Sequence, residues 1–144
     1  MPTVQSKADV VWEGTLLEGK GTVTPESRAF GTLPVTWASR TQRTSGKTSP
    51  EELIAAAHAS CYAMAFSSTL AKAGKNPTRL SIGAVVTFEP GVGITASELT
   101  VVGQVPGLSQ EEFARIAAEG EKGCPVSNAL RGNVKITVSA TLES

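Results

Sequence analysis

Two cysteines, Cys61 and Cys124, are the residues of this 144-residue chain best suited to covalent chemistry. A thiolate attacks a peroxide oxygen far faster than a thiol does, and an unperturbed cysteine titrates at about pH 8.5, so a reactive one needs a cationic neighbour. An arginine or His58, the single histidine, would serve. Two thiols within bridging reach make further sense, because the sulfenic acid formed by the first condenses with the second and escapes deeper oxidation. An external thiol would then reduce the disulfide. Taken without further context, a pair of cysteines is more often a pair of small core residues, since free cysteine is among the most buried types. A zinc module is a third reading, but two cysteines and one histidine without close pairing are a poor set for a metal that takes a full tetrahedron in structural sites.

Cys61 falls inside a long predicted helix. Ser49 can cap it, Pro50 suits its first position, and Glu51 and Glu52 complement the helix dipole in its first turn. Its body, Leu53 to Ala73, is Ala-rich and almost uncharged up to Lys72, and Gly74 with Asn76-Pro77 supplies the stop. At ~1.5 Å per residue the helix is more than about 30 Å long, and Cys61 lies too far from its ends for the dipole to help. Apolar and small residues occur nearly all round it, which predicts burial on most sides. One small sheet can hardly supply that, so a second copy of the chain about a two-fold axis is expected. Cys124 differs: it precedes Pro125, near the N-cap of a short helical turn that runs to Leu130, where free amides favour a thiolate. On these grounds either cysteine can lead.

The remaining elements frame these two. Asp9 to Trp37 reads as two or three antiparallel strands, and Thr41 to Ser49 as a polar, basic loop. Arg79–Glu89 and Ile94–Val105 should form a hairpin about Gly91-Val92-Gly93. Ser109, with Glu111 and Glu112, opens a helix that runs to about Lys122 before Gly123, with Phe113, Ile116 and Ala117 on one face. Val134–Leu142 alternates as a last strand. The order β-β-β-α-β-β-α-β is an α+β pattern, and the length suits one domain over residues 1–144. Thirteen basic residues balance thirteen acidic ones without a like-charged run, so no nucleic-acid or anionic-membrane partner is expected. Met1 to Val10 carries Lys7 and Asp9 and no apolar core, which suits neither a signal peptide nor a span, and the cytoplasm is the expected location.

The string Thr48-Ser49-Pro50-Glu51-Glu52-Leu53-Ile54-Ala55-Ala56-Ala57-His58-Ala59-Ser60-Cys61, with Gly123-Cys124-Pro125-Val126-Ser127, strongly resembles the OsmC branch of the OsmC/Ohr hydroperoxide-reductase family. The likeness extends to Trp12-Glu13-Gly14, to Gly19-Lys20-Gly21-Thr22-Val23, and over nearly the whole chain. It implies an intertwined homodimer with antiparallel sheets around long central helices. It also implies a peroxidase that reduces organic hydroperoxides, and hydrogen peroxide more weakly, with Cys61 as nucleophile and Cys124 as resolving thiol. No metal or flavin is implied; the reductant would be an external dithiol, such as a lipoyl group. The family's arginine and its supporting glutamate carry over to Arg40 and Glu51, although the loop to Pro50 is about one residue longer than usual, which leaves Arg28 and Arg43 as alternatives to Arg40. On one straight helix Glu51 and Cys61 would lie ~15 Å apart, so each site is expected to combine Cys61 and Cys124 of one subunit with Arg40 and Glu51 of the other. His58, one turn from Cys61, could tune the thiol, but such a histidine is more often a packed structural residue. Leu53, Met64 and Phe66 could line an alkyl pocket or simply fill a core. The rival class is a non-catalytic stress protein that holds a lipid or small ligand on the same fold.

Overall fold

In the computed structural model, which describes residues 2–143, the chain divides into two compact units, Met1–Pro50 and Glu51–Ser144. The first contains an antiparallel sheet of β1 (Ala8–Glu13), β2 (Lys20–Pro25) and β3 (Leu33–Val35), in that order. Three strands therefore form where two or three were expected. Opposite Trp12 stands Gly21, where a Cβ would meet the indole at 2.7 Å, so the ring lies flat against bare backbone. The Trp12 Nε1–H donates to the Gly14 carbonyl at 3.0 Å and closes the turn. β1 is exposed throughout, with Val10 and Val11 both open.

A short helix that the sequence reading missed, α1 (Trp37–Gln42), follows β3. Its signal was a capping box: the Thr36 side chain accepts from the Ser39 amide at 3.0 Å and Ser39 Oγ accepts from the Thr36 amide at 2.9 Å. Ser39 Oγ also donates to the Thr48 carbonyl at 2.8 Å, and the Thr48 amide donates to Pro34, so the polar stretch after α1 is tied back to β3.

The long helix α2 spans Pro50–Lys72. Gly74, at φ 75°, turns the chain so that the Lys75 amide caps the Leu70 carbonyl at 2.9 Å. His58, Tyr62, Phe66 and Leu70 repeat every fourth residue and form one fully buried row. Within the single chain the other faces of α2 are open or half-open, and Met64 is 73% exposed. The length and apolarity of α2 would also suit a membrane span. Its buried row, however, packs on the core of the second unit as a core helix does.

That core lies against a sheet of β4 (Arg79–Glu89), β5 (Gly93–Gln104) and β6 (Lys135–Leu142), ordered β4-β5-β6. β4 and β5 form the expected antiparallel hairpin, with a bulge at Thr87/Phe88. β6 runs parallel to β5, so this sheet is mixed rather than purely antiparallel. The connection that permits this contains α3 (Gln110–Lys122) and α4 (Pro125–Leu130), long enough for the crossover a parallel pair needs. Ser109 and Glu112 close a capping box on α3. The Phe113 ring lies tilted at 5.2 Å from that of Phe66, against Gly103, where a Cβ would meet it at 2.5 Å, and Gly120 lets α3 approach the Phe66 backbone. Leu99, Val101 and Ile116 complete the core with Cys124.

Candidate active site

Cys61 sits midway along α2, and Cys124 is the N-cap of α4, with Pro125 at the first helical position. The fold of the second unit brings the two thiols near each other, close enough for Cys124 and the Val126 amide each to act on the ionisation of Cys61. Both are reduced; Cys124 is fully buried, whereas Cys61 is half-buried and reachable. Cys124 Sγ accepts from the Ser127 amide at 3.5 Å, the capping role that its place before Pro125 predicts.

Burial pushes the Cys61 thiol up from its ordinary range, the neighbouring Cys124 adds to that, and the Val126 amide opposes it. A thiol so placed ionises poorly, so the demand for a cation is sharper than the sequence suggested. His58 does not meet it. Its ring is fully buried, with Nδ1 at 2.6 Å from Ser97 Oγ and Nε2 at 2.7 Å from Ser127 Oγ. Burial pushes its pKa down and the charge of Glu121 only partly restores it, so the imidazole is neutral at pH 7. With both nitrogens bonded to serines, His58 as placed is not a zinc ligand either, and among the described residues no group of three or more His, Cys, Asp or Glu side chains could hold a metal.

Of the other predicted residues, Arg40 occupies the last turn of α1 in the first unit, half-buried, with its guanidinium 6.0 Å from the Trp37 ring centre. Arg28 and Arg43 are exposed, at φ 61° and 55°. Glu51 is buried in the first turn of α2. Glu51 and Cys61 stand on one unbroken helix, ~15 Å apart along its axis. Phe66 is fully buried between Tyr62 and Phe113 and is a core residue, not a pocket wall.

Sequence reasoning missed Ser97, Glu121 and Arg131. Glu121 is nearly buried and pairs with Arg131 at 3.0 Å beside α4, while the Tyr62 hydroxyl donates to the Ala117 carbonyl at 2.8 Å. Ser127 belonged to the motif that identified Cys124, but nothing local marked its contact with His58.

A cysteine inside α2 and a cysteine capping α4, near each other on an α+β chain with two three-stranded sheets, form a candidate dithiol site. The OsmC family profile, described as OsmC-like protein, matches residues 43–139. The chain is 37% identical to peroxiredoxin OsmC of Escherichia coli over 137 residues, covering 93% of this chain and 95% of that one. It is 34% identical to an organic hydroperoxide resistance protein of Xanthomonas axonopodis over 96 residues, 64% of this chain and 66% of that one. A crystal structure of an organic hydroperoxide resistance protein OsmC from Legionella pneumophila superimposes with a TM-score of 0.70 at 23% identity, covering 98% of this chain and 99% of the other. The chain belongs to the OsmC family.

Proposed function

We propose that this protein is a thiol-dependent hydroperoxide reductase that converts organic hydroperoxides, and hydrogen peroxide more weakly, to the corresponding alcohol or water. The observation that carries the reading is the nearness of the half-buried thiol of Cys61 to the buried thiol of Cys124, close enough for one to act on the ionisation of the other. The Cys61 thiolate attacks the outer oxygen of the hydroperoxide, the O–O bond breaks, and the departing alkoxide takes a proton to leave as alcohol. Cys124 then attacks the sulfenic sulfur; the S–S bond forms, the S–OH bond breaks, and the Cys124 proton leaves with the hydroxyl as water. An external dithiol, of lipoyl type or similar, restores both thiols.

The raised pKa of Cys61 and the separation of Glu51 from it along α2 support a site completed by a second copy. In this reading Arg40 and Glu51 of one subunit complete the site of Cys61 and Cys124 of the other, the guanidinium facing Cys61. There it stabilises the thiolate and donates hydrogen bonds to the peroxide oxygens as charge moves onto the leaving alkoxide. The open faces of α2 and the exposed β1 are the surfaces a second copy would cover, making an intertwined homodimer of one family domain per chain, in the cytoplasm.

Steady-state consumption of cumene hydroperoxide with dihydrolipoamide tests this on the parent, Cys61→Ser and Cys124→Ser. Activity abolished in Cys61→Ser, with a peroxide-induced disulfide that requires Cys124, is the expected result. A parent that consumes no peroxide and keeps both thiols would overturn it in favour of a ligand-binding role.

A further inference from the structure

The peroxidase mechanism makes no use of a buried polar chain that runs through the second unit: Ser97 Oγ on β5, the imidazole of His58 on α2, and Ser127 Oγ on α4. All three residues are completely buried and each hydrogen bond is 2.6 or 2.7 Å long. Two hydroxyls and an imidazole are a costly way to fill a core that apolar side chains would fill as well, unless their bonds fix something.

What they fix is α4. A helix of six residues has too few internal bonds to hold itself in place. Asn128 Nδ2 donates to the Lys122 carbonyl at 3.2 Å, and Arg131 pairs with Glu121 at 3.0 Å, and these tie α4 to α3. His58 ties it to α2 instead, the helix that carries Cys61 one turn further on. It does so at Ser127, the residue whose amide holds Cys124 Sγ.

We infer that His58, clamped by Ser97, is a positioning residue for the resolving half of the reaction, holding Ser127 and through it the Cys124 sulfur in its place near Cys61. The inference rests on the two-cysteine reading above. A disulfide tolerates only a narrow range of separations and torsions, so a small drift of α4 slows S–S formation steeply. The sulfenic acid then survives long enough to meet a second hydroperoxide molecule, which oxidises it to sulfinic acid and leaves as alcohol. His58 would therefore govern partition between the recoverable disulfide and the dead-end sulfinic acid.

The test is that partition, read by intact mass after exposure of reduced protein to graded tert-butyl hydroperoxide, in the parent, His58→Leu, His58→Gln and Ser127→Ala. In His58→Leu and Ser127→Ala the hydroperoxide concentration giving equal disulfide and sulfinic acid should fall about tenfold or more, as expected for a sub-ångström to 1 Å misplacement. His58→Gln, whose amide can reach Ser127, should recover most of the parent value. Folded Ser127→Ala with the parent partition would overturn the inference, even if His58→Leu proves too unstable to measure, because a merely structural histidine lowers thermal stability without moving this ratio. Absence of a disulfide in the parent would instead sink the two-cysteine reading, and it would appear before any variant is made.

Discussion

At the scale of single residues, the chemistry turns on how a half-buried thiol in mid-helix becomes ionised. Within its own chain Cys61 is pushed up by burial and by Cys124, with one amide in opposition. The parent should nevertheless react with iodoacetamide at neutral pH, and Arg40→Ala should move the pH dependence of that alkylation to the alkaline side. A displacement of one pH unit means about tenfold less thiolate below both pKa values. An unchanged profile would remove Arg40 from the site and turn attention to Arg28 or Arg43. His58 makes a second prediction. Its native pKa lies below the ordinary value of about 6.5, so as the pH falls the unfolded chain takes up the proton first. Its burial should thus leave stability untouched above about pH 7, weaken the fold as the pH falls through 6.5, and stop weakening it once below the lowered native value. The groups facing the ring are Ser97, Ser127 and the Glu121 carboxylate, the last of which limits the lowering. The melting temperature of the parent should fall more between about pH 7 and 5.5 than that of His58→Gln, and parallel curves would refute this.

At the scale of elements, stability concentrates where α3 and α2 meet over β5. Phe113 is fully buried, tilted against Phe66 and packed on Gly103, so Phe113→Ala should cost about 3–5 kcal/mol in urea unfolding. A loss below about 1 kcal/mol would mean that the neighbours collapse into the space. Most of these elements were legible because their signals are local. Pro50 and Gly74 bracket α2, the box of Ser109 and Glu112 opens α3, and alternation marks the β4–β5 hairpin to within a residue. The box of Thr36 and Ser39 was equally local but brackets only six residues, which a polar reading of the loop swallowed. The parallel pairing of β6 was illegible for a different reason: strand alternation gives the faces of a strand but not its direction relative to a neighbour 39 residues away. The site divides in the same way. Cys124 before Pro125 announces a capped thiol, whereas the Ser97–His58–Ser127 chain joins residues 39 and 69 positions apart in sequence and leaves no periodic trace.

At the scale of the whole molecule, what the single chain leaves undone is the argument for two. Met64 is 73% exposed on an otherwise apolar helix, Val10 and Val11 of β1 are 60% and 61% exposed, and the cation that Cys61 requires is not His58. Met64→Asp should convert a dimer to monomer by light scattering and remove activity with it, since an unpaired carboxylate in an apolar interface is not tolerated. The sharper test uses two inactive variants. If Cys61 of one subunit works with Arg40 of the other, Cys61→Ser and Arg40→Ala are complementary: a mixed dimer has one site with both groups intact and one with neither. Random re-association of equal amounts makes half the dimers mixed, so about a quarter of all sites should regain parent activity, well above either variant by itself. If the cysteine and the arginine of one site come from the same chain, every site in the mixed dimer lacks one of them, and co-refolding restores nothing. Recovery near a quarter, present after co-refolding and absent after simple mixing of folded dimers, would place the arginine across the two-fold axis.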